Sequence, residues 1–209
     1  NKWFEDIPAG KITKRVLPKE PEQTEARRLE VKRNVPANAL YKVYHMCNKT
    51  HIDYHTTDLL SDVLSLGKSS RLFISLVKEQ KLFSEISAFI AGSHDEGLFT
   101  ISGKLLDGVS FSTAEEAILN EIELIKKELV SETELTKVKN KIESTNQFSE
   151  TSVLNKAMNL SFAELLGNAN DVNLEVEKYQ KVTVSGINRV ANEVLNETNC
   201  STLIYAKSE

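Results

Sequence analysis

Residues able to do chemistry gather in one stretch of the 209-residue sequence, "HMCNKTHIDYHTTD", from His45 to Asp58. His51, His55 and Asp58 stand at i, i+4 and i+7, so one helical face would present two imidazoles and a carboxylate. Those are ligand types of a catalytic zinc site, and histidines four apart have the spacing zinc proteases use. No glutamate follows His51 at the position that activates a water. The stretch also lies where a helix begins, and polar residues are expected there for solvation alone. Two readings stay open: a metal held by His51, His55 and Asp58, or a solvated first helical turn. His45 falls on one face of a strand as a packed or hydrogen-bonded side chain, and His94 falls in a turn.

A second candidate is "GKSSRLFISLVKEQKLFSEISAF", Gly67 to Phe89. "GKSS" has the ending of a phosphate-binding loop, but that loop needs a glycine five residues before Gly67, where this chain has Asp62. It must also follow a strand, and a helix precedes it here. The simpler reading is a corner between two helices, with Gly67 turning the chain and Ser69 or Ser70 capping the second helix. There is no G-x-S-x-G elbow, and neither cysteine stands beside a histidine. The acids of "STAEEAILNEIELIKKELVSETEL" belong to helix starts and solvated faces. Residue by residue, no active site emerges.

The elements that must position these residues follow from composition and period. Hydrophobic residues are 40% and charged residues 27% of the chain, the mix of a soluble globular domain. The net charge of -4, without a basic tract, gives no footprint for nucleic acid. No apolar run has the length of a membrane span, and "NKWFEDIPAG" has no secretory apolar core. The absence of an initiator Met reads as a segment cut from a longer protein. Cys47 and Cys200 read as free thiols, which leaves the compartment open, cytoplasmic or periplasmic.

Residues 1–24 hold three of the four prolines and read as an extended linker. "RRLEVKRNV" and "ALYKVYHMC" are strands around the turn signal "PAN", most economically a hairpin. Leu59, Leu60, Val63 and Leu66 predict a helix from Asp53 to Leu66, followed after Gly67 by a helix through Leu72, Phe73, Leu76 and Val77. The period then switches to two: a strand from Phe83, a turn at "SHDEG" and a partner strand "LFTISGKL" make a second hairpin. Thr113 with Glu116 and Ser131 with Glu134 match the capping-box pattern at two helix starts. Further helices cover "SVLNKAMNLSFAELLG", ending at Gly167, then "NDVNLEVEKYQKV", then "TVSGINRVANEVL", capped by Thr183. "CSTLIYAK" closes the chain as a strand. Paired strands with segregated helices predict an α+β fold: an antiparallel-rich sheet of about five to six strands with helices on one face.

Several short motifs, taken in order, carry a resemblance. They are Ser70-Arg71-Leu72-Phe73, the helix from Leu76 to Glu79, Ser87-Ala88, Glu134-Leu135 to Lys139, and Ile187 to Ala191. With "WFEDIPAG" ahead of them, they resemble the C-terminal domain of the pitrilysin/insulinase zinc metallopeptidases along nearly the whole chain. The "LVKEQKLFSEISA" block is the strongest.

The resemblance implies a peptidase whose halves, each of two homologous domains, close like a clam-shell around unfolded peptide. Its zinc motif, H-x-x-E-H with a distal Glu, belongs to the preceding domain and is absent from this sequence. On that footing residues 1–24 join a missing zinc-bearing domain to a single peptidase C-terminal domain at residues 25–209. No residue of this chain is then catalytic or a metal ligand, and zinc is a cofactor of the upstream domain. Family members that complete the site from the opposite half carry an Arg and a Tyr seven residues apart, which hold substrate and stabilise the oxyanion. Those positions fall here on Val77 and Ser84, which can do neither. The implied partners are a peptide substrate, the upstream domain, and a homologous second chain bearing the Arg/Tyr pair. Gly67, Ser70 and Arg71 are then structural residues of the corner. A scaffold or assembly subunit of the same fold is the alternative, and an unrelated α+β protein with its own metal the third.

Overall fold

The sequence places apolar side chains on alternate residues of each strand, and this alternation decides which face of the sheet the helices cover. The computed structural model describes residues 3, 5–11, 18 and 20–208. Five strands form one sheet in the order β1-β5-β2-β4-β3: β1 is Arg27–Arg33, β2 Ala39–Met46, β3 Phe83–Ala91, β4 Gly97–Leu105 and β5 Cys200–Lys207. On β2, Leu40, Tyr44 and Met46 face the helical layer, and Tyr41, Val43 and His45 face the other way, half-buried. The α+β class and the predominance of antiparallel pairing agree with the sequence reading.

The first hairpin does not form. β1 pairs in parallel with β5, and β5 pairs on its other side antiparallel with β2, so the C-terminal strand separates the two expected partners. The composition of the strands explains the order. "RRLEVKR" is almost wholly exposed and suits a sheet edge, whereas β5 buries Cys200, Thr202, Ile204 and Ala206 along its inner face. The turn residue Asn38 helps to hold this arrangement. Its side-chain oxygen accepts the Lys207 N–H at 2.8 Å and its carbonyl accepts the Leu105 N–H at 2.9 Å, tying the turn to β5 and β4.

β3 and β4 do form the expected antiparallel hairpin, with a bulge between Phe83 and Glu85. The Phe83 ring lies over Gly103, where an added Cβ would stand 2.6 Å from the ring. β3 is therefore a sheet edge whose first residue is locked into the core.

The helical layer comprises α1 (Tyr54–Ser65), α2 (Phe111–Lys127), α3 (Glu132–Ser149), α4 (Val153–Leu166), α5 (Glu175–Gln180) and α6 (Val184–Val194). Ser131 and Glu134 form the capping box of α3, Thr183 caps α6, and Gly167 ends α4 at φ 142°. Two helix starts differ from expectation. Ser110, not Thr113, caps α2, accepting the Thr113 N–H while the two hydroxyls share a 2.8 Å hydrogen bond. After the Gly67 corner the chain winds into a π-helical segment, Phe73–Glu79, which neither serine caps. Ser70 Oγ donates instead to the Gly67 carbonyl at 2.7 Å, and Ser69 Oγ accepts from Lys137 Nζ at 3.1 Å. "NDVNLEVEKYQKV" divides into a 3₁₀ turn, Ala169–Leu174, and α5.

Between sheet and helices lies one core that includes Tyr44, Phe83, Phe99, Leu60, Ile101 and Ile118. One charge sits inside it. Lys42 Nζ donates to Glu115 Oε1 at 2.9 Å and to Thr202 Oγ1 at 3.1 Å, and Arg28 reaches the same carboxylate at 2.8 Å. Glu115 thus links α2 to β1 and β2, and Lys42 extends the link to β5. Burial pushes its carboxyl up, but Lys42 and Arg28 outweigh this and hold it below the usual range.

Parts of the expected linker (residues 1, 2, 4, 12–17 and 19) lie outside the described residues. Gln23 is buried, donating to the Cys200 carbonyl at 3.0 Å and accepting the Ser201 hydroxyl at 3.1 Å, so the chain enters β1 fastened to the start of β5. No helix among the described residues is long and apolar enough to cross a membrane.

Lys81, between the π-helical segment and β3, is the non-glycine residue with left-handed backbone among those described, at φ 54°. A Cβ in that region costs about 1–2 kcal/mol, part of which glycine returns as lost chain entropy. Lys81→Gly is expected to stabilise the fold by about 0.5–1 kcal/mol in denaturant unfolding, and a loss of stability would refute the strain.

Candidate functional site

The corner and the strand after it are built from residue 67 onward. Gly67 takes φ 81°, a left-handed turn that glycine adopts without a steric penalty, and the Leu66 N–H closes α1 on the Asp62 carbonyl. Arg71 then lies against α3. Its Nε and Nη2 donate to the two Glu134 oxygens at 2.9 and 3.1 Å, a forked pair that fixes both planes. Glu134 also accepts the Ser131 N–H, so one carboxylate completes the α3 cap and anchors the corner. Arg71, with help from Ser131, holds its carboxyl down at about 2 despite partial burial.

In the π-helical segment the Gln80 N–H reaches the Ser75 carbonyl at 2.9 Å and the Leu82 N–H the Leu76 carbonyl at 2.9 Å. This wide winding buries Leu76 and leaves Val77 half-buried against the core. Seven residues on, Ser84 is exposed at the start of β3, its hydroxyl donating to the Lys104 carbonyl at 3.2 Å. Position 77 therefore offers an apolar side chain and position 84 a hydroxyl already engaged with backbone. Neither can place a positive charge or a phenol beside a substrate.

The structure does not bring the histidine–aspartate set together. His51 Nδ1 accepts the Asp53 N–H at 3.1 Å in the turn before α1. His55 is buried edge-on between the Tyr54 and Tyr179 rings, with centroids at 5.5 and 4.7 Å. Its Nε2 lies 3.2 Å from Glu175 Oε1 but has no aligned hydrogen-bond partner. Asp58 accepts the Tyr179 phenol at 2.5 Å. Among the described residues no group of three or more His, Cys, Asp or Glu is placed to hold a metal ion. A zinc site does not fit these residues.

What His55 and Asp58 do is join α1 to α5. Burial raises Asp58, and burial with the neighbouring Asp58 charge pushes Asp62 up to about 7. Burial and Asp58 also push the Tyr179 phenol up, which keeps it a donor. Burial pushes Glu175 up too, but His55, with Lys178 and Lys49, outweighs this and the carboxyl stays below the usual range. The cluster borders a cleft of about 940 Å³ whose walls include Lys49, His55, Phe162, Glu175 and Arg189. Sequence reasoning missed Glu175 and Tyr179. With 121 residues between Asp58 and Tyr179, no local pattern could have paired them.

Residues 1–142 match the family model for the peptidase M16 inactive domain. The chain belongs to that family. The resemblance to pitrilysin/insulinase peptidases drawn from the motifs therefore holds at family level. A protease from Helicobacter pylori shares 24% identity at a TM-score of 0.91, over 98% of this chain and 50% of the other. The inactive peptidase domain of a candidate zinc protease from Bordetella parapertussis shares 22% at 0.77, over 86% and 95%. A conserved protein from Enterococcus faecalis shares 14% at 0.81, over 99% and 48%. At these identities the likeness is one of fold. The chain spans about half the length of the Helicobacter and Enterococcus proteins. A comparison with curated proteins returns no match.

Two predictions concern the electrostatics of this M16 inactive domain. Because the Glu134 carboxyl is lowered from 4.5 to about 2 in the fold, its contribution is complete above pH 4.5 and lost as pH falls toward 2. Arg71→Ala should cost about 1–2 kcal/mol at pH 7, a modest figure for a partly solvated pair, and should flatten the acid limb of stability between those values. Asp62 has the opposite sign: raised from 3.8 to about 7, it favours the fold when protonated and weakens it as pH climbs through that window. Asp62→Asn should add about 1–3 kcal/mol at pH 8 and almost nothing below pH 3.8. Equal gains at both pH values would show that the carboxyl is not the cause.

Proposed function

We propose that this chain is the zinc-free C-terminal domain of a zinc-dependent peptidase that encloses and cleaves unfolded peptides, where it supplies chamber wall and partner interface. The observation that carries the reading is the pair Val77 and Ser84. By the motif resemblance these positions correspond to those where relatives of the opposite half bear Arg and Tyr, and here they present an apolar side chain and an engaged hydroxyl. A domain with that pair replaced belongs with a zinc-carrying half, and the Arg/Tyr function then comes from a homologous second chain. Residues 1–24 join the domain, residues 25–209, to the zinc-bearing one before it. The corner of Gly67, Ser70 and Arg71 is structural in this scheme. It fastens the 77–84 block to α3 through Glu134 and takes no part in chemistry.

Two features support a role at a peptide chamber. β3 pairs on one side with β4 and ends the sheet on the other, an edge that an added strand would extend. The outer sheet face carries half-buried and exposed apolar side chains, among them Phe89 and Leu98, able to receive the side chains of an unfolded peptide. By family resemblance, zinc held by residues of the upstream domain would supply Lewis-acid chemistry at the scissile carbonyl, while this chain's residues would bind and position the peptide.

The test uses the full-length protein and the 209-residue chain in parallel. After dialysis against zinc, the full-length protein should hold one equivalent and hydrolyse an unfolded peptide when mixed with a homologue bearing Arg and Tyr. The 209-residue chain should hold no stoichiometric zinc. One equivalent on that chain, lost in His51→Ala, would overturn the proposal. A full-length protein that binds no zinc and cleaves nothing with any partner would establish the scaffold alternative instead.

A further inference from the structure

Two helices anchored in the core frame a segment that is not. α3 is fixed by buried Leu135 and Val138 and α5 by buried Tyr179, whereas α4 and the 3₁₀ turn after it bury no residue. The contacts of α4 run mainly to that turn. Within the segment the parts are tied together. Ser152 caps α4, the Asn155 amide donates to the Ser149 carbonyl at 3.2 Å, and the Glu164 carboxylate accepts the Ala169 N–H at 3.1 Å. The two flanking helices are also clasped to each other. Lys139 Nζ donates to the Gln180 and Val182 carbonyls at 2.9 and 2.6 Å, and Gln180 Nε2 donates to Glu143 at 3.0 Å. The cleft of about 940 Å³ lies between this segment and the starts of α1 and α6. Phe162 and Leu166 line it from α4, and Ile52 lines it from the turn before α1. Ile52 is 87% exposed and Phe162 54%, so neither covers the other.

We propose that residues 152–174 are a hinged lid, which swings as one body on the clasped pair α3 and α5 and closes the cleft by seating Phe162 on Ile52. The chain supplies a hinge at each end. Residues 150–152 are non-helical, and the Thr151 and Ser152 N–H groups reach back only three residues, to the Phe148 and Ser149 carbonyls, at 3.2 Å each. At the other end 3₁₀ winding gives way to α5 at Glu175, and the hydrogen bonds of a 3₁₀ turn are poorer than those of an α-helix. Closing removes two apolar side chains from water. It disturbs no core packing, because the moving segment contributes no buried residue, and such weakly held segments are the ones from which lids are drawn. The inference stands apart from the peptidase reading, since it uses no residue of the 77–84 block or of the corner.

Cross-linking tests it. In a Cys47→Ser background, Ile52→Cys with Phe162→Cys should form an intramolecular disulfide under mild oxidation, since that bond needs Cα atoms within about 7 Å and the cleft must close to bring them there. Ile52→Cys with Leu165→Cys, on a face of α4 that does not line the cleft, should cross-link many-fold less. The side chains at 52, 162 and 165 are exposed, so these variants keep the fold. Hydrogen exchange gives a second readout. Residues 153–174 should exchange together and many-fold faster than α6, and should slow several-fold in the cross-linked protein. A 52–162 pair that stays reduced while both thiols react with a soluble reagent overturns the proposal. So do equal yields from the two pairs, or exchange over residues 153–174 as slow as that of α6.

Discussion

The fold depends on the insertion of the last strand between the first two. β5 hydrogen-bonds on both edges, in parallel to β1 and antiparallel to β2, and among the described residues it is the only neighbour β1 has in the sheet. Leu29 at one end of the chain registers with Leu203 at the other, so the sheet is incomplete until nearly all residues are in place. Such pairings carry the loop-closure cost of the whole intervening chain before any contact compensates it. The side-chain anchors around β5 serve that closure. Gln23 grips its start, Asn38 its end, and the Lys42–Glu115–Arg28 group joins the three strands to α2. Lys42 is buried, so its charge is tolerable only because a carboxylate and the Thr202 hydroxyl both meet it.

What was legible in the sequence was local. The capping box at Ser131, the Thr183 cap, the Gly167 stop and the alternation of β2, β3, β4 and β5 are each decided within a few residues, and each stands in the structure. The β1–β2 hairpin was misread for a physical reason. "PAN" is a sound turn signal, but a turn does not require its flanking strands to pair, and the strand that separates them lies more than 150 residues away. The α2 cap was misread because Ser110 and Thr113 carry competing hydroxyls. Sequence cannot say which of the two will face the free N–H groups when they also bond each other. The π-helical winding after Arg71 left no sign, because its residues keep apolar spacing compatible with an ordinary helix.

The candidate site was legible to a different degree. Positions 77 and 84 are ordinary residues, and only the order of the surrounding motifs gives them meaning. The histidine–aspartate set was visible by spacing, but its partners were not. His55 lies by Glu175 and Asp58 by Tyr179, so two residues that looked like ligands instead fasten α1 to α5. Spacing on a helix locates a face. What that face meets is set by elements far along the chain, here a six-residue helix that no pattern linked to α1.

In the 77–84 block the backbone geometry does not depend on the side chains at positions 77 and 84. Its geometry rests on Leu76 and Phe83, both buried, on backbone hydrogen bonds between residues 75–76 and 80–82, and on the Arg71–Glu134 fork. None of these supports uses the side chains at 77 or 84. The Val77 side chain packs on the core where a longer cationic one would have to leave it, and Ser84 satisfies its hydroxyl on a neighbouring strand. The side chains at 77 and 84 can therefore vary without disturbing the backbone of the block, because the stabilising contacts lie on neighbouring residues. The corner, the winding and the bulge follow from packing and hydrogen bonding alone, whatever side chains stand at 77 and 84.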